Sequence, residues 1–396
     1  MKKIISFCLV IVFICCLFSG CVPTFSELMW QKQEDSAEGK KVTYEEKLEE
    51  LIKLLDHYYV DGYDTDALGD ILAEAAVAAT GDRWSYYISA DEYQSYLENS
   101  NNEYVGIGVT VQQVNEDDEG ITVLQVNKGG SAHEAGILPG DMIVSVEGQK
   151  AVEIGVDAMS DIIKGREGTE LTLTILRNGI YMDVTLVRKL IEVEVVTYAD
   201  LDGIGYIKIE NFQNHCAERT IAAIDDLLSR NVKGLIFDLR FNPGGRKADL
   251  CEILDYILPA GPLFRAVTYA GVETVDSSEG ESVIELPMVV MVNEDSYSAA
   301  EFFAAAMQEY DWATIVGTQT VGKGNFQQTF ALSDGSAVAI STGHYSTPNG
   351  VNLEGVGVTP DITVEVDRET YTAIYLQTLT YEEDPQLQAA LEQFAK

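Results

Sequence analysis

The run Val289-Val290-Met291-Val292 is apolar at every position, which suits a strand only when both of its faces are covered. It breaks into the polar turn Glu294-Asp295-Ser296-Tyr297-Ser298 and continues as AAEFFAAAMQEY, a helix-forming run. Hydroxyl residues therefore stand at a strand-to-helix junction. A second segment, TIVGTQTVGKGNFQQ, contains Gln327 and sets Lys323 between two glycines, 25 positions beyond Ser298. A serine and a lysine in such a setting suggest a nucleophile with an amine base.

The surrounding sequence repeats the pattern. From about Ile191 the strand GIGYIKIENF leads to the helix ERTIAAIDDLLSR, then to the apolar VKGLIFDL and the glycine-rich turn FNPGGR, then to the helix KADLCEILDYIL. Strands alternating with helices predict an α/β core with a mixed, partly parallel sheet over residues 191–375. Asp238 and Arg240, at the end of one of these strands, read as a structural pair. Strands with turns at Pro348-Asn349-Gly350 and Thr359-Pro360 follow, and residues 376–396, ending in DPQLQAALEQFAK, read as a C-terminal helix.

Upstream of this core, residues 102–190 change to short alternating strands. Before them, YEEKLEELIKLLDHYY places Leu48, Leu51, Ile52 and Leu55 on one helical face, and two more helical runs complete a helical region over residues 42–101. The apolar stripes suit intramolecular core or a homodimer contact. The expected fold is thus α/β and multidomain: an N-terminal helical region, a β-rich domain and an α/β core. At 396 residues the chain is too long for one typical core, which agrees.

The N-terminus adds a location. MKK followed by IISFCLVIVFICCLFSG has the basic start and apolar run of a secretory signal in residues 1–20. The segment FSGC resembles a bacterial lipobox, which implies lipidation of Cys21. An uncleaved anchor is the alternative, since about 17 apolar residues can just span a bilayer. Either way the rest of the chain is expected outside the cytoplasm at the cell membrane, on a polar tether over residues 21–41. With 26 basic and 64 acidic residues, the net charge of −38 argues against a nucleic-acid partner. Beyond the signal and Cys21 the cysteines are Cys216 and Cys251, expected as small buried hydrophobes. Neither they nor the four histidines have zinc-ligand spacing, so no metal or cofactor is expected.

Peptide hydrolysis needs a nucleophile, a base and oxyanion donors. His57, His133, His215 and His344 all lie outside the strand-turn-helix context; His344 alone is near it in sequence and is a minor candidate base. A lysine can serve instead if burial keeps it neutral, and Lys323 between Gly322 and Gly324 suits that. Read one at a time, the same residues have plain alternatives: a helix cap for Ser298, a solvated lysine, a turn residue for Gln327, a structural NPGG turn.

Two resemblances narrow these readings. AHEAGILPGDMIVSVEG looks like the central segment of a PDZ domain, with Gly136 and Gly140 at turns and Ile143 and Val146 toward a core. Gly106-Ile107-Gly108-Val109 matches the carboxylate-binding loop of such domains, followed by a strand edge open to an added peptide strand. GYIKIENF, DLRFNPGG, VNEDSYSAAE and VGKGNFQ resemble, in order, segments of the bacterial carboxy-terminal processing proteases, over roughly residues 43–365. That resemblance implies a serine endopeptidase that binds the C-terminal tails of proteins through its PDZ domain. It implies Ser298 as nucleophile, Lys323 as base, Gln327 as the residue orienting the lysine, and the N–H groups of Gly244 and Ala299 as the oxyanion hole. Tyr297 and Ala300 depart from the family pattern, in which both positions carry small residues and the latter a serine. Ser296 remains an outside candidate for nucleophile. An impaired, non-catalytic peptide-binding adaptor is the alternative function, and a protease with a single regulatory substrate is a third.

Overall fold

The computed structural model describes residues 41–113 and 119–395. The signal segment, Cys21 and nearly all of the tether lie outside the described residues. Among those described, no helix is long and apolar enough to cross a membrane. They fall into two compact units divided after Gly69.

In the first unit, Thr43 caps the helix Tyr44–Tyr58 by a reciprocal pair of bonds: Glu46 N–H donates to Thr43 Oγ1, and Thr43 N–H to Glu46 Oε2. No residue of this helix is buried, and the stripe read from the sequence is half-exposed, with Leu51 outermost of its four leucine and isoleucine positions.

The second unit contains three hydrophobic cores, one in its β-rich part and one on each face of its α/β sheet. The β-rich part is a sheet in which Val109–Gln112, Ile121–Val126, Met142–Val146, Glu170–Arg177 and Ile180–Val187 lie side by side, all antiparallel. Its inward positions alternate along each strand, so Leu171, Leu173 and Ile175 are buried while Glu170 and Thr172 are exposed. Ile143 and Val146 are fully buried in this core, as their pattern predicts. Helix Ala151–Ile163 closes the sheet and bends at Gly155, whose φ of 83° no other residue type adopts freely.

The α/β core is a six-stranded mixed sheet. Val196–Leu201 pairs antiparallel with Ile204–Ile209, and from there Leu235–Asp238, Met288–Val292, Ala313–Gly317 and Ile362–Thr363 follow in parallel. The apolar runs are continuous because both faces are covered. Phe237, Val290 and Val292 face a core with helices Cys216–Ser229, Lys247–Ile257 and Ala299–Glu309, while Ile236, Val289 and Met291 face Leu387 and Ala390 of the last helix. Cys216 is buried and Cys251 half-buried, both free thiols in apolar surroundings, and burial pushes both up to about 12.

Two boundaries differ from the sequence reading. Within the region expected to be helical, Tyr86–Ile88 is a strand: it pairs with Ala337–Ser346 in a second sheet that also holds Gly261–Thr268, Glu273–Ser278 and Asn325–Ala331. Three residues carry too little periodicity to announce a strand, and the long partner edge recruits them. The C-terminal helix is also shorter than residues 376–396. It starts at Pro385 behind the N-cap Asp384, whose side chain accepts the N–H of Gln386 and Leu387, and an irregular stretch precedes it.

Asp238 and Arg240 do form a buried pair, 2.6 Å apart, and Arg240 also reaches Asp384 at 2.8 Å. Burial alone would raise the Asp238 carboxyl, but Arg240 and Lys208 pull it well below the usual carboxylate range.

Candidate active site

The parallel strand Met288–Val292 delivers the chain to a tight junction. Asn293 stops it: its buried Oδ1 accepts the N–H of Phe241 at 2.9 Å and of Asp295 at 3.2 Å. Ser296 is built into this turn. Its Oγ accepts Asn293 N–H at 2.9 Å and donates to the Leu239 carbonyl at 2.8 Å, with no exposed surface, so it is a structural residue and not a free nucleophile.

Ser298 follows at φ 58° and ψ −123°, a conformation costly for a residue with a side chain and one that aims it outward from a strand-to-helix turn. It occupies the N-cap of helix Ala299–Glu309 in a capping-box arrangement with Glu301, whose Oε2 accepts Ser298 N–H at 2.9 Å.

The glycine-rich turn FNPGGR lies directly against it. A Cβ on Gly244 would sit 2.7 Å from Ser298 Cβ and 2.8 Å from Ala299 N, so only glycine permits this approach. Asn242, fully buried, ties the turn down: it donates through Nδ2 to the Ile209 carbonyl at 2.7 Å and its carbonyl accepts Tyr297 N–H at 3.1 Å. Its Oδ1 also accepts Gly244 N–H at 2.8 Å. That N–H, expected to be free for an oxyanion, is thus satisfied locally, because an asparagine two residues back readily closes such a turn. Ala299 N–H, in the first helical turn, makes no hydrogen bond among the described residues.

Lys323 enters on the loop between Ala313–Gly317 and Asn325–Ala331. Three successive N–H groups of that loop go to carboxylates: Gly322 to Glu301 Oε1 at 2.7 Å, Lys323 to Glu301 Oε2 at 2.8 Å, and Gly324 to Glu354 Oε2 at 2.8 Å. The Lys323 side chain lies under two aromatic rings, with Nζ 4.9 Å from the centroid of Trp84 and 5.7 Å from that of Tyr297; the rings stack 6.2 Å apart. Burial lowers its pKa, while the carboxylates of Glu354, Asp82 and Glu301 pull it back up. Among the described residues no hydrogen bond joins Lys323 Nζ to Ser298 Oγ.

Gln327 is turned elsewhere. Its Nε2 donates to the Asn325 carbonyl at 3.2 Å and to Ser341 Oγ at 3.0 Å, because a register shift between Phe326 and Gln327 rotates it along the hairpin. Among the described residues no hydrogen bond joins it to Lys323. His344 pairs with Asn325 Oδ1 through Nδ1 at 2.7 Å and is spent on the same hairpin.

Several residues of this site escaped the sequence reading. Trp84 and Asp82 lie in the stretch taken as helical; Trp84 donates through Nε1 to Glu354 at 2.9 Å, and Arg83 to the Gly322 carbonyl at 3.2 Å. Glu301 was legible, since Ser298-x-x-Glu301 before an apolar run is a capping-box pattern. Beside the lysine loop, Asp82, Arg83, Asn325, Ser341 and Glu354 line an open cavity of about 600 Å³. A cavity of about 390 Å³ around Tyr206, Lys208 and Arg240 lies on the other face of the sheet and holds none of these groups.

In the β-rich part, Val109–Gln112 is an edge strand paired only with Ile121–Val126. Gly108, at φ 81°, packs so closely that a Cβ would meet Gly130 Cα at 2.9 Å. The carbonyls of Ile107 and Gly108 accept Ala132 and Asn127 N–H groups, whereas the N–H groups of Ile107 and Gly108 donate to nothing among the described residues. A loop with free N–H groups at the head of an open strand can take a terminal carboxylate and a peptide strand.

Comparison with known proteins agrees with this layout. The family model for peptidase family S41 matches residues 203–364, and that for the PDZ domain matches residues 94–176. A "Carboxy-terminal-processing protease" of Bartonella bacilliformis is 33% identical over 292 residues, 72% of this chain and 67% of that protein. A "Probable CtpA-like serine protease" of Staphylococcus aureus is 30% identical over 339 residues, 85% of this chain and 68% of its relative. In fold, a solved structure assigned to the S41 proteases of Bacteroides fragilis overlays with a TM-score of 0.54 at 17% identity, covering 82% of this chain and 90% of the other. The chain belongs to peptidase family S41: it is a carboxy-terminal-processing serine endopeptidase that carries a PDZ domain.

Proposed function

We propose that this endopeptidase works outside the cytoplasm at the cell membrane and cleaves protein tails with a Ser298–Lys323 dyad. One observation carries the reading: a single buried carboxylate, Glu301, accepts the main-chain N–H of both Ser298 and Lys323, so two segments 25 residues apart are held at one place. Lys323, neutral when active, takes the proton from Ser298 Oγ as it attacks the scissile carbonyl. The ammonium then protonates the leaving amine, and the same amine activates the water that hydrolyses the acyl-enzyme. Ala299 N–H, at the positive end of its helix, stabilises the oxyanion. Gly244 N–H joins it on exchanging Asn242 Oδ1 for the oxyanion. Gln327 orients the lysine once its hydrogen bonds along the hairpin are released.

The tail enters by adding a strand to Val109–Gln112, with its carboxylate on the N–H groups of the Gly106-Ile107-Gly108-Val109 loop. Lipid on Cys21 holds the enzyme to the membrane, and the acidic surface keeps it from nucleic acid. The test is cleavage of an unfolded peptide with a free C-terminus by wild type, Ser298→Ala and Lys323→Ala, each checked for folding. Loss in both variants is expected; turnover by a folded Ser298→Ala protein would sink the dyad. For location, Cys21→Ala should move the protein from the membrane fraction to the medium or periplasm.

A further inference from the structure

Glu301 has no exposed surface, and a carboxylate in such a place is costly unless its oxygens are fully used. Here they are. Oε2 accepts Ser298 N–H at 2.9 Å and Lys323 N–H at 2.8 Å; Oε1 accepts Gly322 N–H at 2.7 Å and Thr320 Oγ1 at 2.5 Å. The direction of the last bond is settled, because Thr320 Oγ1 already accepts Val358 N–H at 2.7 Å and so has its proton to give. Four donors require an acceptor-only group, which is the ionised carboxylate and not its acid or an amide. Burial pushes the Glu301 pKa up, these four bonds oppose that, and the first turn of helix Ala299–Glu309 adds its positive end.

We infer that Glu301 is the positioning residue of the dyad, setting the Ser298-to-Lys323 separation by holding both main chains through one buried carboxylate. This rests on Ser298 as nucleophile and Lys323 as base. The lysine loop needs such a holder: Gly322 sits at φ 81° and Lys323 is flanked by glycine on both sides, so its backbone is poorly constrained on its own. Glu354 anchors only the far end, at Gly324, and is partly exposed. The two segments also meet where Val321 N–H donates to the Ser296 carbonyl at 3.2 Å, but among the described residues Glu301 is the side chain that accepts the main-chain N–H of both Ser298 and Lys323.

The carboxylate also acts on the lysine through space. Lys323 is faced by the charges of Glu354, Asp82 and Glu301 and by the rings of Trp84 and Tyr297, all of which favour the ammonium against burial; Arg83 lies over the same Trp84 ring at 4.1 Å. Removing the Glu301 charge while keeping its shape should therefore loosen the dyad and make Lys323 easier to deprotonate.

The experiment compares full-chain wild type, Glu301→Gln, Glu301→Asp and Ser298→Ala on a fluorogenic tail peptide across pH, with activity expressed per mole of protein folded by its melting transition. In Glu301→Gln, kcat should fall about a hundredfold, the loss typical of a reacting group displaced by about 1 Å, with KM within about twofold. The acid limb of the profile should move to lower pH. Glu301→Asp keeps the charge on a side chain one methylene shorter, so kcat should fall while the midpoint stays. A merely structural glutamate would change the folded fraction only, and unchanged kcat per folded protein with an unmoved midpoint overturns the proposal. Should Glu301→Gln fail to fold, unchanged kcat in Glu301→Asp overturns it equally. If Ser298→Ala still cleaves, the dyad itself is wrong; if it is inert while both Glu301 variants are normal, only the role of Glu301 falls.

Discussion

Tyr297 stands beside Ser298, the proposed nucleophile, and the structure places its ring 5.7 Å from Lys323 Nζ. A ring face at that distance attracts the ammonium form and does nothing for the neutral amine, by about 0.5–1 kcal/mol in a partly exposed setting. It therefore opposes the lowering that burial imposes on Lys323. Tyr297→Leu removes the ring's quadrupole yet keeps an apolar side chain over the amine, so the burial that lowers Lys323 is retained. The carboxylates of Glu354, Asp82 and Glu301 are untouched. A base must be neutral to act, so activity is lost as pH falls through its pKa. Lowering that pKa moves the acid limb of kcat/KM to lower pH. Well below the midpoint the variant should be about two- to fivefold faster than wild type, and above it equal. The assay is the pH dependence of kcat/KM on an unfolded tail peptide, with circular dichroism at each pH to exclude unfolding. An unmoved midpoint, or one moved upward, would refute the claim that this ring holds the lysine charged.

Two further outcomes follow from the core. Arg240→Met should cost about 3–5 kcal/mol in urea unfolding, since it strands the buried carboxylates of Asp238 and Asp384; a loss under 1 kcal/mol would contradict the network. Because the Asp238 carboxyl is depressed in the fold, the stability it brings is present above the ordinary aspartate pKa of about 3.9 and is lost as pH falls below it. Wild type should therefore show an acid-dependent urea midpoint that the variant largely lacks. Gly244→Ala puts a methyl 2.7 Å from Ser298 Cβ at a φ of 86°, and should lower kcat about a hundredfold or more, read on the same peptide; near-normal turnover would show that the turn does not set the nucleophile.

Much of this was legible along the chain because the relevant physics is local. Continuous apolar runs announced strands covered on both faces, alternation announced the β-rich domain, and the polar turn before AAEFFAAAMQEY announced the strand-to-helix junction that holds Ser298. Even Glu301 was written as a capping box, although only as a helix start. The misses share a cause. Tyr86–Ile88 is too short for its pattern to outweigh the helices on either side, so its strand character comes from the edge of Ala337–Ser346.

What the sequence alone determined is the local setting of the candidate residues: Ser298 at a strand-to-helix junction, Lys323 between two glycines, the NPGG turn and the glycine loop of the PDZ domain. Tertiary structure decided what each of them meets. It set Trp84 and Tyr297 over the lysine, closed Asn242 onto Gly244 N–H, turned Gln327 toward Ser341, and joined Arg240 to Asp384 across 144 positions. Periodicity and turn chemistry act over a few residues and survive in one dimension. Charge–charge, ring–cation and main-chain contacts between distant segments exist only once packing has brought those segments together.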